Sequence, residues 1–182
     1  MSDYRLYLEF TEQREGGLSK AKTDTASKYP VPDGSGYHTN KGITWEAFES
    51  ICPKVGYVPT PKLFYDMPDE VFDAIFEYYW NKAGANLIEN QAIANLIFQA
   101  NWGGGLKRLI IKIQKFFSLR VDFILGKNTA SMINNYPDKS ILYGILHQYR
   151  LDYLRSLKSY KDNGKGWEAR MKKLYEFNQQ YL

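Results

Sequence analysis

"YRLYLEFTEQREGG", residues 4–17, opens as an amphipathic helix and ends on two glycines. Tyr4, Leu8, Thr11 and Glu15 fall on one stripe, with Tyr7 and Phe10 beside it, so the spacing predicts a helix over 4–15. Gly16 supplies the stop. Glu15 then sits in the last turn, where the partial negative charge of the helix end disfavours a carboxylate. Such a position suits either a tolerated surface residue or a carboxyl group reluctant to ionise.

The same pattern extends outward from this helix. Residues 16–43 are rich in Gly, Pro, Ser, Thr and Lys and show no helical period, and "YPVPDGSGYHT", residues 29–39, reads as loop or short hairpin. An irregular segment of this length inside a compact domain is usually functional. Thr44 is an N-cap candidate for a helix whose buried face is Trp45, Phe48 and Ile51. Asp66 is read as the cap and Pro68 as the first turn of the next helix, which carries Val71, Ile75, Tyr78 and Tyr79 at helical spacing, with Trp80 as core. Further helices are predicted over 90–102, 104–118, 128–135, 139–161 and 164–181, with Trp167 anchoring the start of the last. The fold class is therefore mainly α with one small loop or hairpin, in two lobes, 1–95 and 96–182.

Composition narrows the chemistry. With only Cys52, His38 and His147 available, an internal disulfide and a Cys- or His-clustered metal site are excluded, and neither metal nor cofactor is expected. The apolar runs are broken by Lys and Arg, so no stable membrane insertion is expected, and the N-terminus has no secretory pattern. Residues 1–103 hold 9 Lys/Arg against 14 Asp/Glu, net −5, while 104–182 hold 15 against 6, net +9. A basic half of that kind fits an anionic partner.

Three groups of residues carry candidate chemistry. The first is Glu15 with the loop behind it: glycoside hydrolysis needs a protonated carboxyl group, usually aided by a second carboxylate. Asp24 and Asp33 are the loop's candidates for that second group, and Thr39 and Thr44 offer hydroxyls to hold a water. The second is "QANWGGG", residues 99–105, where Asn101 and Trp102 precede exposed backbone and the indole is expected either to stack on a sugar or to pack between the lobes. The third is the basic run Lys107, Arg108, Lys112 and Lys115, continued by Arg150, Arg155, Lys158, Lys161 and Lys165. His147, inside a Tyr-rich helix, reads as a satisfied core or surface histidine.

"EGG" followed by "TNKGIT", residues 39–44, resembles the signature of glycoside hydrolase family 108, the endolysin-like muramidases and secretion activators. The likeness continues through "FEYYWNKAG", "NLIFQANWGGGLKRLIIKIQKF", "VDFILGKNT" and "NGKGWEARMKKL", so it spans roughly residues 8 to 175. It implies a lysozyme-like catalytic lobe packed on a helical, peptidoglycan-binding C-terminal lobe. It assigns the catalytic glutamate to Glu15 and the Thr-Asn-x-Gly-Ile-Thr element to Thr39, Asn40, Gly42, Ile43 and Thr44. Leu18 departs from an aromatic, Gln99 stands where an acid is common, and Phe123 replaces a glycine. The loop aspartate of the family maps to Asp24 counted forward from Glu15, or to Asp33 counted back from Thr39.

The resemblance implies a monomeric muramidase cleaving the β-1,4 glycan bond of peptidoglycan. Glu15 would donate the proton, with Asp33 or Asp24 and Thr39 or Thr44 steadying charge or water. Asn40, Asn101, Trp102, Lys107 and Arg108 are the expected substrate-binding residues. Made in the cytoplasm, the enzyme would reach the cell wall through a holin, a dedicated secretion machinery or lysis. The competing expectations are a catalytically inactive wall-binding or secretion-accessory module of the same fold, and a basic helical nucleic-acid binder; no nucleic-acid partner is favoured.

Overall fold

The structure, a computed structural model, describes residues 1–12, 18 and 29–182. Glu15, Gly16, Gly17 and Asp24 lie outside the described residues. The elements run α1 (Tyr4–Glu12), β1 (Thr39–Asn40), β2 (Ile43–Thr44), α2 (Trp45–Ile51), α3 (Pro61–Tyr65), α4 (Asp69–Lys82), α5 (Gln91–Trp102), α6 (Leu106–Phe116), α7 (Lys127–Asn134), α8 (Lys139–Arg155) and α9 (Tyr160–Asn178). The fold is mainly α, as expected. The chain divides into two compact units, one of residues 11–78 and one joining residues 1–10 to 79–182.

In the unit of residues 11–78, β1 and β2 form an antiparallel hairpin with Asn40 opposite Ile43. The two residues between them, Lys41 at φ +47° and Gly42 at φ +76°, are both left-handed. That is the type I′ geometry whose twist matches a tight hairpin, and it explains the glycine. Thr44 ends the hairpin and caps α2 as predicted, its Oγ1 accepting from the Ala47 N–H at 3.3 Å. Trp45, Phe48 and Ile51 are buried, and the first two pack with Phe64 of α3, the Trp45 and Phe64 rings lying edge-on at 5.4 Å.

Asp66 does not begin α4. Thr60 caps the short helix α3, accepting from Leu63 N–H, and Asp66 ends it by donating its own N–H to the Lys62 carbonyl. α4 starts after Pro68, whose carbonyl accepts from Val71 and Phe72. Lys41 reaches back to Asp69 at 2.6 Å and lies over the Phe72 ring, tying the hairpin to the first turn of α4.

The other unit is built around α5, of which residues 91–100 are buried throughout. Tyr7, Trp80, Phe98 and Phe177 form a continuous aromatic cluster with Phe10, in which Tyr7 meets Phe98 edge-on at 5.2 Å. A polar chain crosses this core. Gln91 accepts from the Asp3 N–H at 2.7 Å and donates to Asn95 at 2.7 Å; Asn95 donates to Asn178 at 2.7 Å; Asn178 donates to the Tyr143 hydroxyl at 3.0 Å. Each amide is satisfied, so the network fixes helix register without leaving a buried group unpaired.

Two boundaries in this unit differ from expectation. α8 stops at Arg155 and α9 begins at Tyr160, so the break lies at 156–159 and not at 162–163. Trp167 consequently stands inside α9, against Tyr160. No helix among the described residues is long and apolar enough to cross a membrane.

Candidate active site

The site region of residues 11–78 is a tight loop followed by the hairpin. Val31 and Gly36 bridge across the loop, with Val31 N–H donating to the Gly36 carbonyl at 2.8 Å. Asp33 lies at its exposed tip. Its Oδ1 accepts from the Ser35 N–H at 2.9 Å and the Ser35 hydroxyl at 2.5 Å, and that hydroxyl also bonds Tyr65. The Ser35 hydrogen bonds, hydroxyl first and backbone next, hold the Asp33 carboxyl below its ordinary pKa. Asp33 is thus an ionised acceptor at neutral pH, suited to steadying positive charge or orienting water and unsuited to donating a proton.

Directly behind that loop lie two residues with unused polar atoms. Among the described residues neither ring nitrogen of His38 has a hydrogen-bond partner, nor does the hydroxyl of Thr39, and all three atoms are buried. His38 is 4% exposed, with its ring centroid 6.0 Å from that of Tyr65. An unpaired buried hydroxyl costs about 1–3 kcal/mol, so a fold that retains one has a use for it. Asn40, the next residue, is fully committed: its amide donates to the carbonyls of Phe64 at 2.7 Å and Tyr65 at 3.2 Å. It clamps the hairpin onto α3. Thr44 uses its oxygen as the α2 cap, so Thr39 is the hairpin hydroxyl left available. Sequence reading passed over His38, Ser35 and Tyr65; adjacency to Thr39 was the one signal for the first.

Residues 8–105 match the Glycosyl hydrolase 108 family, more than half of the chain. The chain belongs to that family. Among solved structures, it resembles Brucella abortus SagA at 19% identity and a TM-score of 0.75, over 98% of this chain and 94% of that one. At this identity the likeness establishes the fold, which is lysozyme-like and mainly α. No curated protein matches the sequence.

The family match ends in the glycine run of the other unit, where the remaining expected residues lie. Asn101 is half-buried and donates to the Tyr79 carbonyl at 3.3 Å. Trp102 is half-buried between Tyr79, edge-on at 5.6 Å, and Phe98. The three glycines serve Arg150: its guanidinium donates to the carbonyls of Gly104 at 2.6 Å and Gly103 at 3.4 Å. Gly105, at φ +101°, is packed so closely that a Cβ there would meet the Tyr153 ring at 2.2 Å. Lys107 and Arg108 are exposed at the start of α6, and Lys107 Nζ stands over Phe123. Among the described residues no group of three His, Cys, Asp or Glu is placed to hold a metal ion.

Proposed function

We propose that this protein is a peptidoglycan hydrolase of the lysozyme type, an N-acetylmuramidase in which Glu15 is the general acid. The observation that carries the reading is the family match over residues 8–105, which spans Glu15, Asp33, Thr39 and Thr44. The site chemistry supports it. An ionised Asp33 complements a protonated glutamate, because glycoside hydrolysis divides its labour between a carboxyl group that gives a proton and a carboxylate that meets developing positive charge. The unpaired Thr39 hydroxyl supplies a group to hold the attacking water. The basic half beyond residue 104 supports a role in holding an anionic wall polymer.

A zymogram on purified peptidoglycan, followed by mass analysis of the released muropeptides, tests the reading. The expected result is a cleared band and fragments with reducing N-acetylmuramic acid ends. The Glu15→Gln variant preserves shape but removes the transferable proton, and should lose at least about a hundredfold in clearing rate while still binding the wall. Retained binding with no clearing by the natural protein would make it an accessory module; a fully active Glu15→Gln variant would sink the mechanism.

A further inference from the structure

One charge in the unit of residues 1–10 and 79–182 has no counter-charge among the described residues. Arg150 is 1% exposed, in the middle of α8. Its hydrogen bonds go to Gln99 Oε1 at 2.9 Å and to the Gly104 and Gly103 carbonyls, all neutral acceptors. Among the described residues no carboxylate pairs with it. Burial presses the guanidinium pKa down to about 10, so it is still charged at neutral pH. A buried cation is ordinarily paired, since leaving one uncompensated costs several kcal/mol. Of the five N–H groups a guanidinium carries, these bonds use three and leave two.

Arg150 borders a small cavity. A cavity of about 30 Å³ is lined by Gln99, Gly103, Arg150, Leu154, Trp167 and Arg170. Arg170, on α9, brings a second guanidinium and has no ion pair among the described residues. The Trp167 indole N–H likewise has no hydrogen-bond partner there. Two cations and a neutral donor thus line it, with Gln99 the one side chain offering an acceptor.

We propose that this cavity is a receptor for a single carboxylate group, held by Arg150 and Arg170. Its size limits the anion to a small group. A volume near 30 Å³ accommodates about two water-sized atoms. The two oxygens of a carboxylate match the planar fork of a guanidinium. Leu154 forms an apolar wall for the first carbon behind the carboxylate. The carboxylate belongs either to a free small acid or to the end of a peptide. The inference is independent of whether the protein cleaves glycan.

Titration of the ¹⁵N-labelled protein at constant ionic strength tests it. The indole N–H signal of Trp167, assigned through Trp167→Phe, is followed with sodium acetate, N-acetyl-D-alanine and N-acetyl-D-alaninamide against sodium chloride. Both acids should shift the signal saturably and the amide should not. Tighter binding of N-acetyl-D-alanine assigns the site to peptide ends; equal binding assigns it to free acids. Arg170→Ala, an exposed position, should weaken binding about tenfold or more, the loss of one charge-assisted hydrogen bond. Gln99→Glu builds a counter-charge into the protein, and should abolish acetate binding while raising Tm. An amide that binds as well as the acid, no saturable shift, or unchanged binding in both Arg170→Ala and Gln99→Glu overturns the proposal.

Discussion

Lys107 Nζ stands 4.3 Å above the ring of Phe123, and Phe123 holds that position on a left-handed backbone at φ +69°. Few bulky residues adopt this conformation, which costs a non-glycine residue about 1–2 kcal/mol. The ring is 45% exposed, so burial offsets little of that cost. Phe123→Ala keeps the strain and loses the ring, whereas Phe123→Gly loses the ring and relieves the strain. Urea denaturation should find the glycine variant more stable than the alanine variant by about 1 kcal/mol. Equal stabilities would mean that the turn carries no strain.

Thr39 separates stability from activity. Valine matches threonine in shape and removes the buried, unpaired hydroxyl. Thr39→Val should therefore raise stability by about 1 kcal/mol in thermal or urea unfolding. It should also slow peptidoglycan clearing, while Thr39→Ser restores it. A Val variant that is both stable and fully active would leave the hydroxyl without a catalytic purpose.

Asp33 is favoured over Asp24 as the assisting carboxylate, because Ser35 orients it and keeps it ionised. Turnover should fall further in Asp33→Asn than in Asp24→Asn. The reverse order reassigns the role to Asp24. Two mild effects would point to a mechanism with Glu15 alone.

A pH dependence follows from His147. Its Nε2 bonds the Met171 carbonyl at 3.1 Å, and burial lowers its pKa below the ordinary histidine value. Tyr143 and Tyr175 pack on the ring, and Arg155, Lys172 and Glu168 line the same groove. The folded state thus favours neutral imidazole, and the unfolded chain takes up the proton first as pH falls. The stability contributed is complete above the unfolded pKa of about 6.5 and is lost as pH drops below it. Urea midpoints should decline between pH 7 and pH 5, and His147→Gln should flatten that decline. An unchanged slope would exclude His147 as its source.

What was legible in the sequence was local. Thr44 before Trp45, Phe48 and Ile51 states a helix cap and its buried face, and both are present, whereas the paired strands lie at 39–40 and 43–44, at and beyond the end of the stretch 29–39 that reads as a hairpin. α3 was missed because a five-residue helix after a proline is too short to show a period. With no period to show α3, Asp66 before Pro68 reads as a starting cap, whereas it closes the preceding helix. The α8–α9 break was misplaced because "SLKS", residues 156–159, carries neither Gly nor Pro, while Gly164 looked like a stop. Gly164 is instead interior, where a Cβ would meet the Tyr160 ring at 2.6 Å. The hydrogen bond between Gln99 and Arg150 joins residues 51 apart in sequence, and no local pattern announces such a pair.

The polar chain from Asp3 through Gln91 and Asn95 to Asn178 also sets an order of events during synthesis. The first ten residues belong to a unit completed only by helices at the far end of the chain, while residues 11–78 form a unit of their own. At roughly 5–20 residues per second, Asp3 leaves the ribosome on the order of ten to thirty seconds before Asn178. During that interval the Tyr7 and Phe10 side chains lack the Phe98 and Phe177 rings they later pack against. Such long sequence separations slow folding through loop-closure entropy. Tyr7 and Phe10 of the nascent chain therefore stay uncovered until α5 and α9 dock.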